Sequence, residues 1–596
     1  MFEEIAAKYQ KSLLPYTPCA NLSDRAAWEG LDEEWRKASV ALGERYLGFE
    51  WPYLSASDFL EFSKTGNRVH FENKMFSKRH ALDALVLAEC VENKGRFLED
   101  IINGIFSICD ESAWNLPPHN SYERDKPQLP LPDLTAPVLD LFCCEAGAVL
   151  ATASYLLAPA LDRFSPFITK RIRYELERRI FTPYLTCHFW WMGDGVSPMN
   201  NWTIWCTQNV LLSAFLTDTD SALRRQVFEK ACKSADYFLA EYGEDGCCDE
   251  GAQYYRHAGL CLYLVLELCN RVTGGAFSSL AHTEKIKNIA SYIYKVHVED
   301  KYYVNFADCS PVAGRCSARE YLFGKLTGQP DMMRFAAADF LAGGTDSLLL
   351  PSENNLFYRL QNGFAVSEIR RLDLSAPLSQ PDVYYPSVGL FAVRDSHLFL
   401  AVKAGDNADS HNHNDTGSFT VYRDGRPLFI DVGVESYTKK TFSPQRYEIW
   451  TMQSAWHNLP TFGDVQQHDG EAFCATGVEC SLADASISME LSHAYPEESG
   501  LASYRRSARL IRGEKIVIRD SFSFLPGKER PVRLSLMTYD HPDTLKDIVR
   551  LTGARIVSVE EVPITDARLS TAWDHSLYRT LAEPLEGCHE IELEIR

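Results

Sequence analysis

Two hydrophobic periodicities divide the chain. Up to about residue 345 the apolar positions recur at helical spacing. In "HAGLCLYLVLELCNRVTGG", Leu260, Leu264 and Leu268 fall four apart, apolar neighbours fill most of the circumference, and Gly274-Gly275 supplies a helix stop. "KRHALDALVLAECVEN", "TKRIRYELERRIF" and "NVLLSAFL" read the same way. Loops rich in Pro, Gly and Asp join these segments without any alternating pattern. Successive helical hairpins in one unit predict a bundle or toroid, whose concave inner surface suits a long ligand.

From about residue 353 the period falls to two. "SFTVYRDGRPLFIDVG" alternates on either side of Asp424-Gly425, a hairpin turn signal. Pairing outward from that turn sets residue 423 opposite 426, and Asp431 opposite Ser418. "YRRSARLIRGEKIVIRDSFSF" repeats the design around Arg512-Gly513, and strands continue to the terminal "HEIELEIR". Strand after strand without intervening helices predicts an antiparallel β-sandwich. "AGGTDSLLLPSENN" reads as the connector. The expectation is an α+β multidomain chain, with a helical domain over 1–345 and a β-sandwich domain over 346–596.

Length agrees, since 596 residues exceed what one hydrophobic core serves. Apolar residues make up 45% and charged residues 24%, the balance of a folded globular protein. No run of about 18 apolar residues appears, so no membrane span is expected. The start, "MFEEIAAKYQKSLLPY", does not read as a secretory signal. The 17 cysteines include the adjacent pairs Cys143-Cys144 and Cys247-Cys248 but no CxxC pair. They read as buried free thiols in a reducing compartment, which sets the cytoplasm as the expected location. A net charge of −21 argues against nucleic acid as a partner, while a locally basic cleft can still hold an anionic polymer.

The densest chemistry is "HNHND", residues 411–415. His411 and His413 are two apart and project to one side of an extended backbone. His413 with Asp431 and His457 offers two imidazoles and a carboxylate from three segments, a set that fits Zn²⁺. The spacing also allows a plain polar loop and, as a lesser rival, an oxygenase-type iron triad of His413, Asp415 and His457. An oxygenase has no need of the long helical half. Three helical stretches also carry chemistry: "MNNWTIW" with Asn200, Asn201 and Trp202; "CCDEGAQYYRHAG" with Tyr254, Tyr255, Arg256 and His257; and "SAWNLPPHN" with Trp114 and His119. Aromatic rings and amides suit sugar faces and edges, although an Asn pair also caps helices and tyrosines also fill cores.

"NNW", "DEGAQYY", "HNHNDTGSFTVYRDGRPLFIDVGVESY" and "SAWHN" together resemble the heparinase II/III-like polysaccharide lyases. The resemblance covers most of the chain, with its sharp motifs between residues 200 and 460. It implies an incomplete (α/α) toroid followed by an antiparallel β-sandwich. It also implies β-elimination next to a uronic acid in an anionic oligo- or polysaccharide. On that resemblance Asn201 neutralises the uronate carboxylate, with Asn200 second; Tyr254, rather than Tyr255, transfers protons; and His411 shares the acid/base work. His413, Asp431 and His457 match the metal positions, and the metal is architectural. Asp415 becomes a loop hydrogen-bonder, and Trp114, His119, Arg256 and His257 become substrate contacts beside Trp202. The chain departs from many relatives in carrying Trp202 where they carry histidine, which puts the substrate class in question. Two other readings stand beside it: a glycoside hydrolase using carboxylates among Asp194, Asp249 and Glu250, and a non-catalytic glycan binder with a structural metal.

Overall fold

The computed structural model describes residues 1–124 and 126–596. They form two compact units: a helical one of Met1–Tyr242, Arg256–Ala290 and Arg315–Leu378, and a β-rich one of Gly243–Tyr255, Ser291–Gly314 and Ser379–Arg596.

Six helices of the helical unit are buried along much of their length: Val69–Glu92, Leu141–Phe164, Asn201–Phe215, Gly259–Val272, Ala318–Thr327 and Leu356–Ile369. Each packs on the next, and the sixth returns to the second. Outer helices cover this ring, among them Glu33–Glu44 on the first, Phe167–Leu176 on the second, Ser221–Glu241 on the third and Pro330–Ala342 on the fifth. Inner helices surrounded by outer ones make an (α/α) toroid, and explain why the inner sequences are apolar on most sides. Gly43 permits one close approach, since a Cβ there would lie 2.3 Å from the Ala88 Cβ. Leu141–Phe164 is long and apolar enough to cross a membrane, with mean hydropathy 1.6 over its most apolar window. The window is 78% buried against neighbouring helices, so its apolar surface belongs to the toroid core.

The helical region runs past the expected boundary. Residue 345 lies inside the helix Gly344–Leu349, and a last helix, Leu356–Ile369, follows with Asn355 as its cap, the Asn355 side chain accepting from the Phe357 N–H. The supposed connector is therefore partly helical, and regular alternation begins only near Val383–Tyr385. Two stretches assigned by position to the helical domain, Gly243–Tyr255 and Ser291–Gly314, belong to the β unit. Neither contains a long helix, so their burial comes from packing in the β unit, as where the Tyr255 ring meets Tyr292 at 5.7 Å.

The β unit is a sandwich of a nine-stranded and a six-stranded sheet, with all pairings antiparallel. In the smaller sheet Leu501–Ile511 and Lys515–Phe524 alternate cleanly, sending Tyr504, Ala508, Leu510, Ile516, Ile518 and Phe522 inward. They share one core with Phe391, Val393, Leu400, Phe419 and Val421 of the larger sheet. The Asp424-Gly425 turn forms with both residues at positive φ, 49° and 76°. Arg423 faces Arg426 as expected, but a bulge then shifts the register so that Val421 faces Phe429. Pro427 has no N–H to give the ladder. Asp431 is thus displaced by one position from the place opposite Ser418.

Candidate active site and metal centre

In the β unit the metal candidates do converge. His413, Asp431 and His457 are buried, and their ligand atoms lie within 4.8 Å of one another. The Asp431 Oδ1 accepts the Gly433 N–H at 2.8 Å, which leaves Oδ2 for the centre. His457 Nδ1 stands 2.9 Å from Asp431 Oδ2, while His413 Nδ1 and His457 Nε2 are buried without hydrogen-bond partners. Leaving such atoms unmet is costly, and two imidazoles with a carboxylate are the donor set a divalent ion of the Zn²⁺ type takes. The residues fit the ion. Asp415 is not among them: its carboxylate lies 3.1 Å from the buried Lys403 ammonium, which also reaches Asp409 at 2.7 Å. That pairing ties the loop down and removes the alternative iron triad.

His411 is not on extended backbone. Its φ is +59°, in the left-handed region, so the same-side argument for the two histidines does not hold. They meet instead through Asp308. One carboxylate oxygen, Oδ2, takes His411 Nδ1 at 2.9 Å and the Tyr437 hydroxyl at 3.1 Å. The other, Oδ1, takes His413 Nε2 at 3.0 Å and the Arg446 guanidinium at 2.7 Å. Burial alone would push Asp308 up, but the hydrogen bonds from both histidines and the Arg446 charge hold it well below the usual carboxylate range.

Tyr254 joins the same cluster. Its hydroxyl is 2.5 Å from that of Tyr437, and its ring stacks on His411 with centroids 4.7 Å apart. Burial pushes the phenol up to about 12, against the pull of Arg568 and the Tyr437 hydrogen bond. Arg568 lies over the Tyr437 ring at 4.5 Å and donates to the Asp308 carbonyl at 3.1 Å. The Glu250 carboxylate stands 3.5 Å from His411 Nε2. Burial disfavours charge on His411, yet the Asp308 hydrogen bond and the Glu250 and Asp308 charges outweigh it and raise the imidazole's pKa. The tight turn between Glu250 and Tyr254 depends on Gly251 at φ +84°, where a Cβ would come within 2.7 Å of the Cys309 Cβ. Tyr255 by contrast is fully buried against Tyr292, a core residue.

The remaining candidates lie in the helical unit. Asn200 caps the helix Asn201–Phe215, its side chain accepting from the Trp202 N–H at 3.0 Å, so its amide oxygen is used in folding. Asn201 is the first helical residue, 5% exposed, where the helix dipole favours an anion. His119 donates through Nδ1 to the Asp140 carboxylate at 2.7 Å, and its ring meets Trp202 edge-on at 4.6 Å. Trp202 also packs on Trp190 at 5.2 Å.

Three expected contacts are engaged by neighbouring protein groups. Trp114 is 1% exposed, donates its indole N–H to the Ile108 carbonyl at 2.9 Å and lies under Arg179 at 4.6 Å. Arg256 donates to the Arg315 carbonyl and sits 3.5 Å from Glu320. His257 stacks on Trp205 at 3.9 Å, and burial beside Arg319 and Arg256 drives its pKa down to about 3. Asp194, a hydrolase candidate, accepts the Val196 and Ser197 N–H groups of its own turn. Asp308, Tyr437, Arg446, Arg568 and Lys403 were not anticipated. Tyr437 alone had a signal, since it ends the "DVGVESY" block.

Residues 378–570 match the family described as Heparinase II/III-like, C-terminal. The whole chain superposes on a heparinase III structure with TM-score 0.59 and 11% identity, covering 89% of that chain. It also superposes on the heparan sulfate lyase HepC from Pedobacter heparinus, with TM-score 0.52 and 12% identity over 87% of that chain. A third similar structure is the Streptomyces coelicolor A3 chondroitin AC lyase in complex with chondroitin sulphate, with TM-score 0.50 and 10% identity over 82% of that chain. All three alignments cover 100% of this chain. No curated protein sequence matches it. The fold is the toroid-plus-sandwich of these structures.

Proposed function

We propose that the chain, whose residues 378–570 carry a heparinase II/III-like C-terminal domain, is a polysaccharide lyase cleaving next to a uronic acid by β-elimination. The observation that carries this reading is the Tyr254–Tyr437–Asp308–His411 cluster, a linked set of proton carriers beside a buried divalent-metal donor set.

The chemical difficulty is the weakly acidic C5 proton beside a carboxylate. Asn201 is assigned the uronate carboxylate: an amide donor at a helix N-terminus stabilises the charge that develops as the proton leaves. His411 is assigned the C5 proton through Nε2. Asp308 on Nδ1 fixes the tautomer, and Asp308 with Glu250 stabilises the imidazolium so formed, the logic by which a buried carboxylate supports a histidine base. Tyr254 is assigned the departing glycosidic oxygen. Its raised pKa keeps it a phenol at rest, and the 2.5 Å contact with Tyr437 offers a route for its return to that state.

His413, Asp431 and His457 would hold the ion, which supplies a fixed positive charge that anchors the loop presenting His411. His119, held by Asp140 and set against Trp202, is the proposed sugar contact of the helical unit, on a ring-and-edge surface suited to pyranose stacking. The proposed substrate is an anionic, uronate-bearing glycan of the glycosaminoglycan class, to which heparan sulfate and chondroitin sulphate belong. The buried free thiols support a reducing, cytoplasmic setting, and with it imported oligosaccharides as the working substrate.

The test is incubation with uronate-containing oligosaccharides while following ultraviolet absorbance from the new C4–C5 double bond. Tyr254→Phe is expected to lower turnover by roughly 10²- to 10⁴-fold while retaining binding. Release of reducing ends without absorbance would identify a hydrolase, and binding without either signal a lectin-like protein; both outcomes sink the lyase reading.

A further inference from the structure

We infer that Asp308 is a positioning residue that makes filling of the metal centre a condition for the working orientation of His411. The inference rests on the lyase reading for the role of His411, and on geometry alone for the rest.

Asp308 divides its carboxylate between the two histidines. The oxygen on His413 Nε2 requires that nitrogen to carry the proton, which leaves the buried, unpartnered Nδ1 lone pair for the cluster His413 forms with Asp431 and His457. This is the carboxylate–histidine–metal arrangement by which outer groups set ligand orientation and basicity. The oxygen on His411 Nδ1 fixes the opposite tautomer there, so that Nε2 is presented to a reacting group. One rigid anion thus orders two rings with different tasks.

Backbone geometry strengthens the link. The Asp308 N–H donates to the His411 carbonyl at 3.1 Å, so side chain and main chain both clamp the same residue. The clamp holds an uncommon conformation, because Ala307 and His411 both lie in the left-handed region, at φ +60° and +59°. Arg446 closes the unit: it donates to Asp308 Oδ1 and, through Nε and Nη2, to the carbonyl of Asn412, the residue between the two histidines. His413 therefore cannot turn without disturbing Asp308, and Asp308 cannot move without releasing His411. An ion on His413 Nδ1 gives an otherwise unmet buried atom its partner and keeps that ring in place.

The experiment uses the full chain in three forms: zinc-loaded wild type, wild type stripped by a chelator, and Asp308→Asn. Zn²⁺ affinity is measured by competition with a chromogenic chelator, and the tautomers of isotope-labelled histidine rings by nuclear magnetic resonance. kcat and KM are measured separately on a uronate polymer. Asp308→Asn is expected to weaken Zn²⁺ binding about 10- to 100-fold and to change the ring signals of both histidines. Its kcat is expected to fall by roughly tenfold or more with KM nearly unchanged, the signature of a group that acts on the transition state rather than on binding. Stripped wild type is expected to show the same kcat loss and to recover when Zn²⁺ is returned. This arm needs no substitution and decides the matter if Asp308→Asn fails to fold. Unchanged Zn²⁺ affinity in folded Asp308→Asn, or full kcat in stripped wild type, overturns the inference. A wild type inert on every uronate polymer would refute the lyase reading instead, and the affinity and ring signals would still decide whether Asp308 joins the two histidines.

Discussion

Arg506 offers a sharp test of how the sandwich supports the candidate site. It sits on the inward row of Leu501–Ile511, between Tyr504 and Ala508, directly paired with Asp520 on the next strand. Its side chain is 0% exposed and that of Asp520 only 5%. The guanidinium donates to both Asp520 oxygens at 2.7 Å, to the Gly417 carbonyl at 2.7 Å and to the Asn458 carbonyl at 2.6 Å. Gly417 ends the loop that carries His413, and Asn458 follows His457, so one buried cation braces two ligand-bearing segments. Arg506→Met keeps similar bulk but leaves Asp520 an unmatched buried charge, a change worth about 3–5 kcal/mol. The two abandoned carbonyls add to this but not independently, so the same range is the expected total. For a unit of this size the midpoint of thermal unfolding should fall by roughly 6–20 °C. Calorimetry on the zinc-loaded chain would read it. The double variant Arg506→Met, Asp520→Leu removes both charges and should recover most of the loss, since apolar replacement of a buried pair is often neutral. A single-variant loss below about 1 kcal/mol, the range of an exposed pair, would refute the reasoning. So would a double variant less stable than the single.

Other outcomes follow from the same geometry. Gly251→Ala must place a side chain at φ +84° and within 2.7 Å of Cys309, so stability should fall by about 2–4 kcal/mol in a thermal melt and turnover with it. Stripping zinc should lower the unfolding free energy by about 2.7 kcal/mol relative to protein held at a hundredfold excess over Kd, and an unchanged melt would argue against an ion at His413, Asp431 and His457. In the helical unit, burial lowers the pKa of His257 to about 3 and that of His80 to about 4. Both stay neutral in the fold, so below about pH 6.5 the unfolded chain takes up protons that the folded chain does not, and stability is lost as pH falls toward those values. At pH 5 each should cost about 2 kcal/mol relative to pH 7, and His80→Gln with His257→Gln should flatten the urea-unfolding profile between those pH values.

Periodicity was enough to read the architecture, because the inner toroid helices and the sandwich strands each obey one simple burial rule. It failed at the seams. The helix Leu356–Ile369 was merged into the strand region, although Asn355 carries a cap signal, because its neighbours "PSENN" read as loop. Gly243–Tyr255 and Ser291–Gly314 were placed by chain position, and nothing local reveals which core a short irregular segment will join. Trp114 looked chemical because aromatic loops bind sugars, but its indole N–H had a carbonyl to satisfy and its ring a guanidinium to carry. The Asn200-Asn201 pair divides locally: the Asn200 side-chain oxygen caps the helix that begins at Asn201.

The convergence of His413, Asp431 and His457 was legible because two imidazoles and a carboxylate sit in segments that the hairpin and the following loop bring back to one end of the sheet. Asp308 was not, and the reason is physical rather than statistical. Its partners His411 and His413 are 103 and 105 residues away, and "NFADCSP" carries no spacing that marks a ligand or an acid. Its significance arises only when one carboxylate is shared between two rings. That sharing changes the reading of residues 411–413. Two histidines with separate tasks, one toward an ion and one toward a proton, would need no common support. A shared buried anion, a shared arginine and a strained main-chain clamp at His411 give them one, and the stripped wild type distinguishes the two cases without altering any residue.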